Sequence, residues 1–188
     1  MATVDQLDSV LATVEPLVAA VGSDQWDAAT PCPGWDVRAL LDHLVRGNAR
    51  YAAALAGQEP PGQDADSLGA DPVGAYRDSA AAVVAAFRAP GALDRPVTVP
   101  LGTVPGETAL HLRIVEVLTH GWDLARATGQ SAEFPADVAE QELAFTESAL
   151  DQLPPDRPFA PPQPVSPDAP AIERLVACLG RSVAAPVQ

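Results

Sequence analysis

One stretch constrains this chain more than any other: Glu116-Val-Leu-Thr-His120-Gly-Trp-Asp123-Leu-Ala-Arg-Ala-Thr-Gly129. It reads as the second half of a long helix over about Glu107–Thr128. Leu110, Ile114, Val117, Gly121 and Leu124 recur at helical spacing and form one apolar stripe. Gly129 follows the last periodic residue and suits a helix stop. Arg113, Glu116, His120 and Asp123 share the side away from the stripe's centre. Glu116 and His120 are four apart and sit about 40° from one another around the axis. A carboxylate and an imidazole on adjacent turns can grip one divalent ion across a gap of about 5–6 Å. The same spacing also describes an ordinary solvated pair. A third ligand from elsewhere in the chain decides between the two.

The rest of the chain supplies partners for that helix. Leu7, Val10, Leu11, Val14, Leu17 and Val18 predict a helix over about Val4–Val21, against which Pro16 is an objection. A breaker-rich loop, Trp26 to Trp35, follows, and Asp36 suits an N-cap. A second helix spans about Val37–Ala56, closed by Gly57. His43 flanks its apolar stripe among small residues, Ala39, Gly47 and Ala54, which leave room for a ligand or another helix. Asn48 falls inside the stripe and needs a partner, either across a helix interface or in a pocket.

After a polar connection over Gln58–Pro72, an alanine-rich helix is expected over about Val73–Arg88. Alternating Val and Thr near Val97–Val104 predict a short hairpin. His111 lies nine residues before His120, so the two face nearly opposite ways, and His111 reads as a packing or hydrogen-bonding residue. Further helices are expected at about Pro135–Leu150 and Ala171–Leu179. Between them, the proline-rich stretch Leu153–Pro170 reads as an extended wrap over the surface. These periods predict an all-α protein with a four-helix core. The domain expected is one unit, 1–188, with a bundle core over about 4–129 and a C-terminal extension over 130–188.

Charge narrows the partners. The 25 acidic against 11 basic residues leave no basic stripe for nucleic acid or an anionic membrane. No apolar run approaches the roughly 20 residues of a spanning helix. The N-terminus lacks a basic start and an apolar signal core. A cytoplasmic location is therefore expected, with Cys32 and Cys178 reduced and not joined to each other. Cys32 is an ordinary loop cysteine or a pocket thiol.

Two motifs taken together are more specific than either alone. They are Thr30-Pro-Cys32-Pro-Gly-Trp35-Asp36-Val-Arg-Ala-Leu-Leu-Asp-His43-Leu44 and Glu116-Val-Leu-Thr-His120-Gly-Trp-Asp123-Leu-Ala. A tryptophan-bearing helix start with a histidine soon after, then a helix with Glu-x-x-x-His, resembles the DinB-like metalloprotein superfamily. Within it the chain is most similar to the N-terminal domain of mycothiol-dependent maleylpyruvate isomerase and the smaller proteins grouped with it. That resemblance implies a four-helix bundle with a divalent metal near one end, held by His43, Glu116 and His120. It leaves the isomerase's separate C-terminal domain without a counterpart. Asp123, three residues after His120, reads either as a partner orienting a ligand or as a solvated helix carboxylate.

Two neutral imidazoles and one carboxylate leave a divalent ion with an open position, as in catalytic zinc sites. Zinc is the default, with nickel, iron or manganese compatible. The expected function is an enzyme using mycothiol or another low-molecular-weight thiol against a small electrophilic molecule, by thiol transfer or thiol-assisted isomerisation. Two rivals stand beside it: a metal- or thiol-binding sensor or carrier without turnover, and a metal-dependent hydrolase. Oligomeric state is left open, a homodimer included.

Overall fold

The computed structural model describes residues 2–59, 62, 66–100, 102–150 and 160–183. Its elements in chain order are helix α1 (Val4–Ala19), α2 (Val37–Ala56), α3 (Pro72–Arg88), strands β1 (Pro96–Val99) and β2 (Gly102–Pro105), then α4 (Gly106–Thr128), α5 (Ala136–Leu150) and α6 (Ala171–Cys178). The protein is all-α apart from the hairpin, as its periodicity predicts.

Local chemistry sets the ends. Thr3 and Gln6 form a reciprocal capping box at α1, Asp36 caps α2 through the Ala39 amide, and Asp71 caps α3 through the Gly74 amide. Gly57 and Gly129 close α2 and α4, as expected. Pro16 does not break α1, because it sits in the last turn; the helix ends at Ala19, two residues short of the expected Val21. There the proline removes one ladder bond from an end about to fray anyway.

Helices α1 and α2 each pack against both α3 and α4, making a four-helix bundle. The apolar residues of the expected stripes form its core, with Leu7, Leu40, Leu41, Leu44, Leu110, Ile114 and Val117 shut away from solvent. The hairpin pairs Val97 with Val104 and Thr98 with Thr103, and β1 rests on α2 and α4. On the far side α5 and α6 pack together and each touches α4.

That makes α4 the central helix, and of the readings left open for its polar side, the solvated one does not hold. Arg113 and Asp123 are fully buried, and His120 nearly so. His111 meets buried Glu142 of α5, its Nδ1 lying 2.9 Å from Oε2, and stacks on Phe145 at 4.4 Å. The expected packing role of His111 is thus a polar link between α4 and α5. Of the proline-rich stretch, residues 160–170 are described and carry no regular element until the start of α6; 153–159 lie outside the described residues, as do five residues of the 58–72 connection. Cys32 and Cys178 are both half-buried and are not joined to each other.

Candidate metal centre

The site lies between the first turns of α2 and the C-terminal half of α4, under the loop that precedes α2. That loop is tightly folded. The Thr30 hydroxyl donates to the Trp35 carbonyl at 3.0 Å and accepts from the Cys32 amide at 3.1 Å, while the Trp35 amide donates back to Cys32. The result holds Trp35 against both histidines. Its ring centroid is 4.5 Å from that of His43 and 5.5 Å from that of His120.

His43 of α2 meets Glu116 of α4, and the ring of His120 lies beside that of His43. Glu116 Oε1 lies 3.5 Å from His43 Nε2, and the two imidazole rings meet edge to face with centroids 5.0 Å apart. Ligands about 2.0–2.1 Å from a shared tetrahedral ion stand roughly 3.3–3.5 Å apart, so the His43–Glu116 spacing suits a common ion. His120 places Nδ1 3.1 Å from Asp123 Oδ2. With the Nδ1 proton held by that carboxylate, Nε2 carries the free lone pair, the arrangement usual for a metal-bound histidine.

Charge favours the deprotonated set. Burial pushes Glu116 up, but a hydrogen bond from His43 and the charges of Arg113, His43 and His120 outweigh it and bring its carboxyl down to about 2. Burial pulls His120 below the ordinary imidazole value, more than Asp123 raises it. The donors present, an ionised carboxylate and a neutral imidazole, are those a divalent ion requires.

Arg113 fixes the second oxygen of Glu116. It is fully buried, donates from Nη1 to Glu116 Oε2 at 2.9 Å and from Nη2 to the Leu44 carbonyl at 3.0 Å, and lies 5.7 Å over the Tyr51 ring. Its guanidinium fills the space left by Gly47, where any Cβ would collide with Nη1. The small-residue face of α2 is therefore occupied at that point by a side chain from α4. Asn48 is also buried, but it faces α3 and donates to the Ser79 hydroxyl at 3.0 Å. Of the two roles left open for it, the interhelix bond is the one present.

Among the described residues, the three potential ligands whose donor atoms all lie within 4.8 Å of one another are a different set, Cys32, His120 and Asp123, which shares His120 with the first. Arg181, from the chain after α6, already takes both Asp123 oxygens, at 3.0 and 3.4 Å, and brings its own positive charge. Burial pushes the Cys32 thiol up, against the pull of Arg181. Arg181 balances the charge of Asp123 in that grouping, as Arg113 balances that of Glu116 in the first; what separates the two is the Cys32 thiol, which burial pushes up, against the ionised Glu116 carboxylate, which its partners bring down.

Sequence reasoning gave Arg113 no role. Its spacing three residues before Glu116 was the available signal, since such pairs meet on a helix. No local signal pointed to Arg181, 58 residues from Asp123.

The bundle, with a histidine from its second helix facing Glu-x-x-x-His on its fourth, defines a DinB-like protein with a candidate metal centre. The chain belongs to the mycothiol maleylpyruvate isomerase N-terminal domain family, whose model matches residues 7–125. It is similar to two Mycobacterium tuberculosis proteins described as uncharacterized, Rv0738 of strain H37Rv and MT0763 of strain CDC 1551. Each is 38% identical over 172 residues, covering 89% of this chain and 91% of its own length. Two solved structures share the fold with a TM-score of 0.60: the mycothiol-dependent maleylpyruvate isomerase, at 20% identity, and a histidine-to-alanine mutant of it, at 19%. Each match covers 75% of this chain and 66% of the solved chain, so this chain spans just under two thirds of their length. At that identity the likeness speaks for the fold.

No helix among the described residues is long and apolar enough to cross a membrane.

Proposed function

We propose that His43, Glu116 and His120 hold one divalent ion, zinc by default, and that the protein is an enzyme using a low-molecular-weight thiol against a small electrophile. The observation that carries this is the meeting of His43 Nε2 and Glu116 Oε1 at 3.5 Å beside an imidazole whose other nitrogen is already committed to Asp123. A bound ion there would supply Lewis acidity, lowering the pKa of a coordinated thiol or water into the neutral range.

The chain's own residues do the rest. Arg113 holds Oε2 of Glu116, so that carboxylate has one oxygen, Oε1, left to present. Asp123 keeps the His120 proton on Nδ1. Trp35 packs against both histidine rings and holds their orientation. Three protein donors would leave a further position open to a thiol. Thiolate addition to a carbon–carbon double bond conjugated to a carbonyl forms a C–S bond as the π pair moves to the carbonyl oxygen; rotation about the new single bond and expulsion of the thiolate restore the double bond and return the thiol, giving isomerisation, whereas placing the thiol's proton on the neighbouring carbon keeps the C–S bond, giving thiol transfer. Mycothiol is the thiol named by the family and by the solved neighbours, and it is the first to test.

The test is metal analysis of the purified chain, then turnover of a panel of small electrophiles with and without mycothiol. One equivalent of metal and thiol-dependent turnover are expected. Thiol binding without turnover would make the protein a carrier or sensor, and turnover without thiol a hydrolase; either result overturns the enzyme as proposed.

A further inference from the structure

Arg181 lies beyond the family-matched residues, three positions past the end of α6. The helix ending puts it there. Gly180 takes a left-handed φ of +88°, its amide donates to the Ala177 carbonyl at 3.0 Å, and the Arg181 amide donates to the Val176 carbonyl at 2.9 Å. This is a Schellman-type termination, which turns the chain sharply at a glycine. A side chain at 180 would be strained by that backbone and would also press on Ala160.

The turn sends the Arg181 side chain inward, where it is only 13% exposed. Nη2 donates to Asp123 Oδ2 at 3.0 Å, Nε to Oδ1 at 3.4 Å, and Nη1 to the Leu179 carbonyl at 3.1 Å. Asp123 has no exposed side-chain surface, and its Oδ2 also faces His120 Nδ1. The last torsion of an aspartate is broad and soft. One imidazole partner would let the carboxylate swing, whereas a guanidinium engaging both oxygens fixes its plane and register.

We infer that Arg181 is a positioning residue of the candidate metal centre: by gripping both oxygens of Asp123 it fixes the acceptor that sets the ring orientation and tautomer of His120. The inference rests on the metal reading of His43, Glu116 and His120. It makes the C-terminal extension part of a site whose ligands all come from the bundle. Outer partners of this kind are typically worth about 10–100-fold in metal affinity.

The test uses the full chain and four variants: Arg181→Gln, Asp123→Asn, their double, and His43→Ala. Zinc affinity is measured by competition with a chromophoric chelator, His120 geometry by the visible spectrum of the cobalt(II) form, and thermal stability in excess chelator. Arg181→Gln is expected to weaken zinc binding about tenfold or more and to alter the cobalt spectrum. The double variant is expected to bind no more weakly than Asp123→Asn, because Arg181 acts through that residue.

A purely structural tie between the extension and the bundle would lower stability in chelator and leave affinity and spectrum unmoved. Arg181→Gln binding zinc within twofold of wild type would overturn the inference, and so would additive losses in the double variant. If Arg181→Gln does not fold, the double variant, which leaves no unpaired buried carboxylate, decides by the same comparison with Asp123→Asn. His43→Ala separates the two levels. If it keeps its zinc, the metal reading falls and this inference with it; if it loses zinc while Arg181→Gln does not, only the role of Arg181 falls.

Discussion

Arg113 and Glu116, three residues apart on α4, form a 2.9 Å ion pair in which the cation is wholly buried and the carboxylate is 34% exposed at the candidate centre. The pair joins core to site: one end of the guanidinium is tied to the α2 backbone and the other sets which oxygen Glu116 presents.

Arg113→Met should therefore cost both stability and metal. Loss of charged hydrogen bonds to Glu116 and Leu44 should lower unfolding free energy by about 1.5–3 kcal/mol. Gly47→Ala should cost about 1–3 kcal/mol, because the added methyl collides with Nη1. The double variant should lose clearly less than the sum, since a methionine at 113 can yield where a guanidinium cannot. Urea unfolding of the metal-free proteins measures all three; strict additivity would refute the contact.

His43 and His111 should fail in opposite ways. His43→Ala should bind a divalent ion weaker by orders of magnitude while folding nearly normally, since the packed helices of the bundle do not depend on its imidazole. His111→Ala should keep its metal and lose about 1–3 kcal/mol of stability, because it leaves the buried Glu142 carboxyl with only the Gln141 side-chain amide at Oε1. Metal stoichiometry and chemical unfolding, measured on both variants, check the crossing pattern. Full metal occupancy in His43→Ala contradicts the site.

Cys32 distinguishes the two overlapping groupings. If the ion sits among His43, Glu116 and His120, Cys32→Ser should retain full zinc stoichiometry. Its cobalt(II) form should also match wild type in the near-ultraviolet, where a sulfur ligand would give an intense charge-transfer band. A band present in wild type and absent in Cys32→Ser would move the site to Cys32, His120 and Asp123.

Acid should weaken the metal-free protein in two windows. His120 is held below the ordinary imidazole value of 6.5, chiefly by burial. The unfolded chain therefore takes up more protons than the folded one as pH falls through that value, and stability drops. Glu116 falls from 4.5 to about 2, its burial outweighed by His43 and Arg113, so its contribution is present above about 4.5 and lost between there and about 2. Urea midpoints against pH should show both declines. His120→Gln should remove the upper one and leave the lower. Metal binding should also fail on the acid side, as protons compete for the imidazoles.

Much of this architecture is legible in the sequence because it is local. Each helix announces itself by apolar residues three and four apart, and its ends by residues such as Asp36, Gly57 and Gly129 whose hydrogen bonds reach only one turn. Glu116 and His120 are legible for the same reason, being adjacent turns of one helix. His43 is harder: its spacing within α2 says nothing about α4, and it was linked to the pair only through a resemblance of whole motifs. Beyond that reach, only the tertiary structure decides. A helical wheel assigns Arg113, His120 and Asp123 to a polar face, and the fold buries that face because α4 has neighbours on several sides. Gly47 looks like an empty place on α2 until Arg113 arrives from α4 to fill it. The grip of Arg181 on Asp123 spans 58 residues and depends on a turn at Gly180 after α6. Contacts of that separation are set by how helices dock, and docking depends on the complementarity of whole surfaces, which no local period in the chain encodes.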